Sequence, residues 1–358
     1  MAAPQAYATA ARIRPELRLS QVATFPGLRA LAWDGNVLYA SRGYDLLSAV
    51  ADENPIRWQT VAKYSPAWWR NLTVRSRLTF RLFRDGFHAL AVLSSGHLIA
   101  AVPGAIVVRS PGIGNFRVSH KVLRGTRPLH IAVTPDDQIF WGEYFDNPQR
   151  DEVHIYASND KGATWEIAYT FPCGAIRHVH NIVYDEWEDC LWVLTGDDGA
   201  ECQILRASCD FRHVHAVASG KQQARAVALV PTREALYFSS DTPFETNHIY
   251  CYSRRGILSQ VAELNGSSIY GCRVGEAIFF STMLEPSAIN CDRHVRVYGS
   301  VDQATWDRLL EWKKDIWAMR LFQYGNAFLP DGCNNTNLLA ITTVAVKKDD
   351  LQTTLWRV

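Results

Sequence analysis

The stretch HNIVYDEWEDCLWVLTGDD, residues 180–198, is an apolar run, a charged turn and a second apolar run that ends in paired acids. Ile182, Val183, Tyr184, Leu191, Trp192, Val193 and Leu194 are strand formers, so the segment predicts two paired strands around an Asp-Glu-Trp-Glu-Asp turn. Its opening is unusual for a buried strand, because Arg177, His178 and His180 lead into it. The same plan recurs as RALAWDGNVLYASRG, HALAVLSSGHLIAAVPG, HIAVTPDDQIFWGEY, RAVALVPTREALYFSSD, YGCRVGEAIFFSTM and YGNAFLPDGCNNTNLLAITT. The seven units start at Arg29, His88, His130, His180, Arg225, Tyr270 and Tyr324, with successive starts 59, 42, 50, 45, 45 and 54 residues apart. A repeat of about 40 to 50 residues, rich in strands and Gly/Pro/Asp turns, has the spacing of four-stranded propeller blades.

Seven starts predict an all-β chain, a single seven-bladed β-propeller over residues 1–358 with four-stranded antiparallel blades. Only three strands fit between Tyr324 and the closing LQTTLWRV, so the last blade needs an outer strand from elsewhere. The early run ELRLSQVATF is expected to supply it and close the ring, which removes exposed sheet edges.

Composition narrows the function classes. A hydrophobic share of 47% with 12 Trp is enough for a large core, and 37 Lys plus Arg against 36 Asp plus Glu gives no general attraction to nucleic acid. Eight cysteines without a CxxC pair argue against a zinc knuckle and for free thiols, with Cys190 and Cys202 the one pair that a hairpin could bridge. The amino terminus lacks the apolar core of a secretory signal and no run of 18 apolar residues occurs, so a cytoplasmic location is expected.

SNDKGATW, residues 158–165, fits the pattern S-x-D-x-G-x-T-W, and looser versions stand at SVDQATW (300–306), SCDF (208–211) and SPGIGNF (110–116). In these turns the chain resembles the Asp-box (BNR-repeat) propellers of the sialidase-like superfamily. The resemblance implies that the turn joins the third and fourth strands of a blade and that Ser158, Asp160, Gly162 and Trp165 serve the fold rather than chemistry.

In a propeller the first strand of each blade lines the central channel, so the seven starting residues form a ring. Three His, two Arg and two Tyr are residue types for proton transfer, anion binding and metal ligation. The second strands return to the same end, bringing Arg42, Glu143, Asp146, Asp197, Asp198, Glu201, Asp241, Glu245, His248 and Glu285 to the rim. The leading expectation is a carbohydrate-active enzyme cleaving a uronate-containing or other anionic glycan by β-elimination. His88, His130 or His180 would be the base and Tyr270 or Tyr324 the acid, while Arg29, Arg225, Arg42, Glu143, Asp197, Asp241 and His248 would bind substrate. The residue set is similar to that of seven-bladed propeller polysaccharide lyases.

Three further readings stay open. His88, His130 and His180 could share a divalent Mn, Ca or Fe ion, with Glu143 as a fourth ligand. Two rim carboxylates could hydrolyse a glycoside, although only two ring arginines are present where the sialidase-like resemblance implies three. A non-enzymatic carbohydrate-binding propeller is the alternative from another class.

Two segments exceed the repeat. Residues 65–86 combine Arg70, Arg75, Arg77, Arg81 and Arg84 with Trp68, Trp69, Leu72, Phe80 and Phe83, which suits either an arm on a membrane surface or protein partner, or a segment packed on the propeller flank. Residues 303–321 carry Trp306, Leu309, Leu310 and Trp317 at helical spacing and predict a helical insertion.

Overall fold

The structure, a computed structural model, describes residues 17–358. Seven sheets, each built on an antiparallel blade, follow one another around a channel, and 49% of the described residues are strand against 6% helix. The innermost strands of blades one to seven are Arg29–Gly35, Ala89–Val92, Ala132–Val133, Val179–Asp185, Ala226–Pro231, Ser268–Val274 and Asn326–Phe328. Blade seven continues through Leu338–Val344 and Gln352–Arg357, and Ser20–Pro26 pairs with the latter as its outer strand. The ring therefore closes by joining the two ends of the described chain, as the missing fourth strand predicted.

Position in the blade explains why the repeats read as continuous apolar runs rather than alternating ones. Second strands such as Cys190–Thr195 and Ala277–Thr282 are buried along their whole length because neighbouring blades cover both faces. Outer strands such as Val214–Ser219 keep one side wet. Apolar clusters fill the junctions between blades: Phe140, Val179, Ile182, Leu191 and Val193 between blades three and four, and Phe279, Val297, Leu339 and Ile341 between six and seven.

The turn at 158–165 joins the third and fourth strands of blade three. The Asp160 carboxylate accepts from Thr164 N, Thr164 Oγ1 and Ser158 Oγ, and Ser158 Oγ accepts from Gly162 N. Asp302 repeats this with Ser300, Ala304 and Thr305 in blade six, and Asp210 in part with Ser208 and Arg212 in blade four. Trp165 and Trp306 pack against aromatic rings of neighbouring strands.

The helical insertion expected at 303–321 is corrected. Asp307–Lys313 is the outer strand of blade six, paired with His294–Ser300, and helix is confined to Met319–Phe322. A ready-made strand partner outweighs a local apolar spacing that fits either element. Residues 65–86 hold two short helices, Arg70–Thr73 and Arg77–Phe83. Their arginines are largely engaged: Arg81 is buried against Asp315 and the Phe322 carbonyl, Arg70 pairs with Asp85 and Arg77 with Asp350. Several apolar members face outward instead, with Trp68, Leu72, Leu82 and Phe83 exposed, as are Ile316 and Leu321.

One element has no counterpart in the repeat. After the inner strand of blade seven, Asp331–Asn334 turns into the channel and pairs in parallel with Ala32–Gly35 of blade one. It packs on the inner strands of blades two and six as well. Gly332, at φ +88°, lies so close to blade one that a Cβ would stand 2.2 Å from the Trp33 carbonyl oxygen.

Candidate functional site at the channel mouth

All seven repeat-starting residues sit within two residues of the first residue of an innermost strand, but they do not form one ring of equivalents. Two groups form, one basic and one acidic.

The basic group contains Arg29, His88, His130 and Tyr270, joined by Arg84, Arg127 and Asp331. Arg29 Nη1 donates to His88 Nδ1 at 3.3 Å, since His88 Nε2 is spent on the Arg84 carbonyl at 2.7 Å. The Arg29 guanidinium also lies 4.2 Å from the centre of the Phe328 ring. Burial, then the charges of Arg29 and Arg84, push Arg127 down to about 9. Burial likewise lowers Arg29 and, with Arg127 and Arg29 adding to it, holds His88 well below the usual imidazole range. Among the described residues none of Arg29, Arg84 and Arg127 makes an ion pair with a carboxylate. His130 Nδ1 lies 2.9 Å from the Asp331 carboxylate, and its ring is 5.8 Å from that of Tyr270. Burial pushes the Tyr270 phenol up to about 12, which keeps it protonated at neutral pH.

The acidic group contains His180 and Arg225, joined by His178, Asp197, Asp241 and Glu285. His180 Nδ1 donates to the Ala226 carbonyl at 2.9 Å and His178 Nδ1 to the Phe145 carbonyl at 3.0 Å. A carbonyl only accepts, so both Nδ1 atoms carry hydrogen and, in the neutral rings, the lone pairs sit on Nε2. Those two Nε2 atoms are 3.1 Å apart, and Asp197 oxygens lie 3.5 Å from His180 Nε2 and 3.7 Å from His178 Nε2. Burial, then the neighbouring His180, push His178 down to about 4. Burial alone would raise Asp197, but His180 and His178 in their protonated forms, together with Arg225, hold it below the usual carboxylate range. Arg225 reaches Asp197 at 3.2 Å, Asp241 at 3.9 Å and Glu285 at 4.0 Å. Burial and the charge of Asp241 push Glu285 up to about 7, and burial raises Asp241 too.

Tyr144 bridges the groups. Its ring is 4.3 Å from that of His178 and its hydroxyl senses Asp241, Asp197 and Arg225, while Arg127 of the basic group senses Tyr144 in turn. Burial pushes it up to about 12.

Comparison with known proteins adds the fold and no more. No family model matches the chain and no curated protein does. Among solved structures, a chain of a mitotic checkpoint complex aligns over 99% of both chains at 10% identity and TM-score 0.57. The extracellular domain of a putative one-component system from B. thetaiotaomicron aligns over 94% of this chain and 39% of its own, at 10% identity and TM-score 0.58. A chain of a nidogen/laminin complex aligns over 84% and 98% at 11% identity and TM-score 0.50. At such identities the similarity is one of architecture.

Several expected site residues lie apart. The ligand set His88, His130 and His180 is corrected: the ligand atoms of these three do not converge, and among the described residues His178, His180 and Asp197 alone bring three such atoms within 4.8 Å. Glu143 is committed to the fold, its buried carboxylate paired with Arg124 and accepting from His154 N. Arg42 is exposed at the end of its strand, and Tyr324 is half-buried where the chain enters blade seven. His248 lines a separate surface cavity of about 500 Å³ with Gln222, Gln223, Glu245, Tyr250 and Gln260. Cys190 and Cys202 are both free and buried. Arg84, Arg127, Tyr144 and Asp331 were not anticipated, although Tyr144 stands inside the GEYFDN loop whose acids were.

Proposed function

We propose that the chain is a carbohydrate-active enzyme that cleaves an anionic, uronate-containing glycan by β-elimination in the basic half of the channel mouth. The carrying observation is the convergence of Arg29, Arg84 and Arg127, with no carboxylate ion pair among the described residues, beside His130 and Tyr270. Three such cations repel one another, and an anionic substrate group relieves that repulsion. A uronate carboxylate held there has its negative charge neutralised, which acidifies the adjacent C–H.

His130 then serves as base. With Nδ1 directed at Asp331, Nε2 presents the lone pair that takes the C5 proton. The C5–H electrons form the C4=C5 double bond as the C4–O bond breaks, and the protonated Tyr270 gives its hydrogen to the leaving oxygen. His130 and Tyr270 recover their starting states by proton exchange with water. Incubation with uronate oligosaccharides, followed by the ultraviolet absorbance of the unsaturated product, tests the reaction. A signal abolished by His130→Ala and Tyr270→Phe supports it, and a flat trace across a broad uronate panel rejects it.

The Asp-turn hydrogen bonds favour kinship with the sialidase-like Asp-box propellers. A second reading, sugar binding without catalysis, is favoured by the cavity around His248, where Gln222, Gln223, Tyr250 and Gln260 offer amide and phenol groups for hydroxyls. The free cysteines suit a reducing, cytoplasmic setting, and the exposed Trp68 and Leu72 suit peripheral contact with a membrane or protein. No helix among the described residues is long and apolar enough to cross a membrane.

A further inference from the structure

We infer that His178, His180 and Asp197 bind a divalent first-row transition-metal ion. The inference is independent of the elimination reaction, which uses the other half of the mouth.

Two imidazole lone pairs that face each other at 3.1 Å repel unless something positive lies between them. Neither ring can turn its Nε2 into a donor by changing tautomer, because each Nδ1 hydrogen is fixed by a backbone carbonyl, Ala226 for His180 and Phe145 for His178. The Asp197 carboxylate on the same point, at 3.5 and 3.7 Å, adds a third electron-rich group. Ligand atoms sharing one ion at about 2.0 to 2.2 Å stand roughly 3 to 3.5 Å from one another, so the three separations are close to those of an occupied site.

The surroundings have the form of an outer coordination sphere. The two carbonyls fix ring orientation, and Arg225 at 3.2 Å and Arg177 at 3.4 Å hold the carboxylate. A second, separate observation points to a ligand here: Asp241 is 5% exposed, lies within electrostatic reach of His180 and Asp197, and leaves Oδ1 with no hydrogen-bond partner. A metal-bound water would satisfy it. Two imidazoles and one carboxylate favour zinc, iron(II), cobalt or manganese over calcium or magnesium, and three protein ligands leave positions open for water or substrate oxygen.

The test is metal titration of the full chain after chelator treatment, with Zn2+ and Co2+ as probes, by calorimetry and by the Co2+ absorption spectrum. One equivalent should bind, the Co2+ spectrum should lack a thiolate charge-transfer band, and His178→Ala, His180→Ala and Asp197→Asn should each lose the site. His215→Ala, on an outer strand, should keep it. Circular dichroism of the variants separates loss of ligand from loss of fold. Binding that survives all three ligand substitutions in folded protein overturns the inference. So does a wild-type chain that binds neither ion and instead shows by nitrogen NMR one proton shared between the two rings. Uronate cleavage can succeed or fail without affecting either outcome.

Discussion

His130 and Asp331, 201 positions apart, meet at 2.9 Å because the strand Asp331–Asn334 leaves its own blade and enters the channel. In the proposed elimination Asp331 would position the imidazole without touching the reacting bond. Asp331→Asn should lower kcat by about 10²-fold with little change in KM, within the range for a mispositioned general base. Steady-state kinetics on a uronate oligosaccharide decides it, since a substrate-binding role would move KM instead.

Gly332 gives an independent handle on the same strand. Gly332→Ala places a Cβ against the Trp33 carbonyl at positive φ and should cost about 1 to 3 kcal/mol, read as a lower melting temperature. Its kinetic defect should match that of Asp331→Asn. Wild-type kinetics in the alanine variant would show that the strand does not set His130.

Arg29, Arg84 and Arg127, which have no carboxylate ion pair among the described residues, predict stabilisation by anions. Glucuronate should raise the melting temperature in proportion to the logarithm of its concentration, as any ligand of the native state does. Arg127→Ala should flatten that response by removing one of the three charges. An equal response in wild type and variant would place the sugar acid elsewhere.

Glu285 predicts a pH-dependent stability. Burial and Asp241 raise it from 4.5 to about 7, so between these values the folded state holds a proton that the unfolded state has lost. Stability contributed this way is full below about pH 4.5 and declines as pH rises through about 7. Asp241, Asp197, Arg225 and Ser267 face the group, and Asp241 acts in the same direction. Glu285→Gln should be more stable than wild type at pH 8 and show a shallower fall between pH 5 and 8 in thermal melts.

The wheel was legible in the sequence because each blade is a local hairpin series whose starts can be counted. The same count puts Arg29, His88, His130, His180, Arg225 and Tyr270 near the starts of inner strands, although there they divide into two groups instead of one ring. What each does was not legible. Glu143 and Asp197 look alike as loop acids, yet Arg124 claims the first and the histidine pair the second, through contacts between distant segments. His178 stood in plain view two residues before His180, but its Nε2 meets its neighbour's only because two carbonyls fix the rings. Arg127 follows a turn of blade two, and no spacing announces that it meets Arg29 and Arg84.

The strand inside the channel also sets the traffic of ligands. A tunnel open at both ends can thread a polymer, admitting it on one side and releasing it on the other. Asp331–Asn334 lies inside such a bore, along the inner strands of blades one, two and six, and narrows it. For the proposed elimination, this obstruction favours engagement of a glycan by its terminus over threading. The proposed enzyme would then trim chain ends one at a time, and its own small product would compete with incoming substrate for the same entrance.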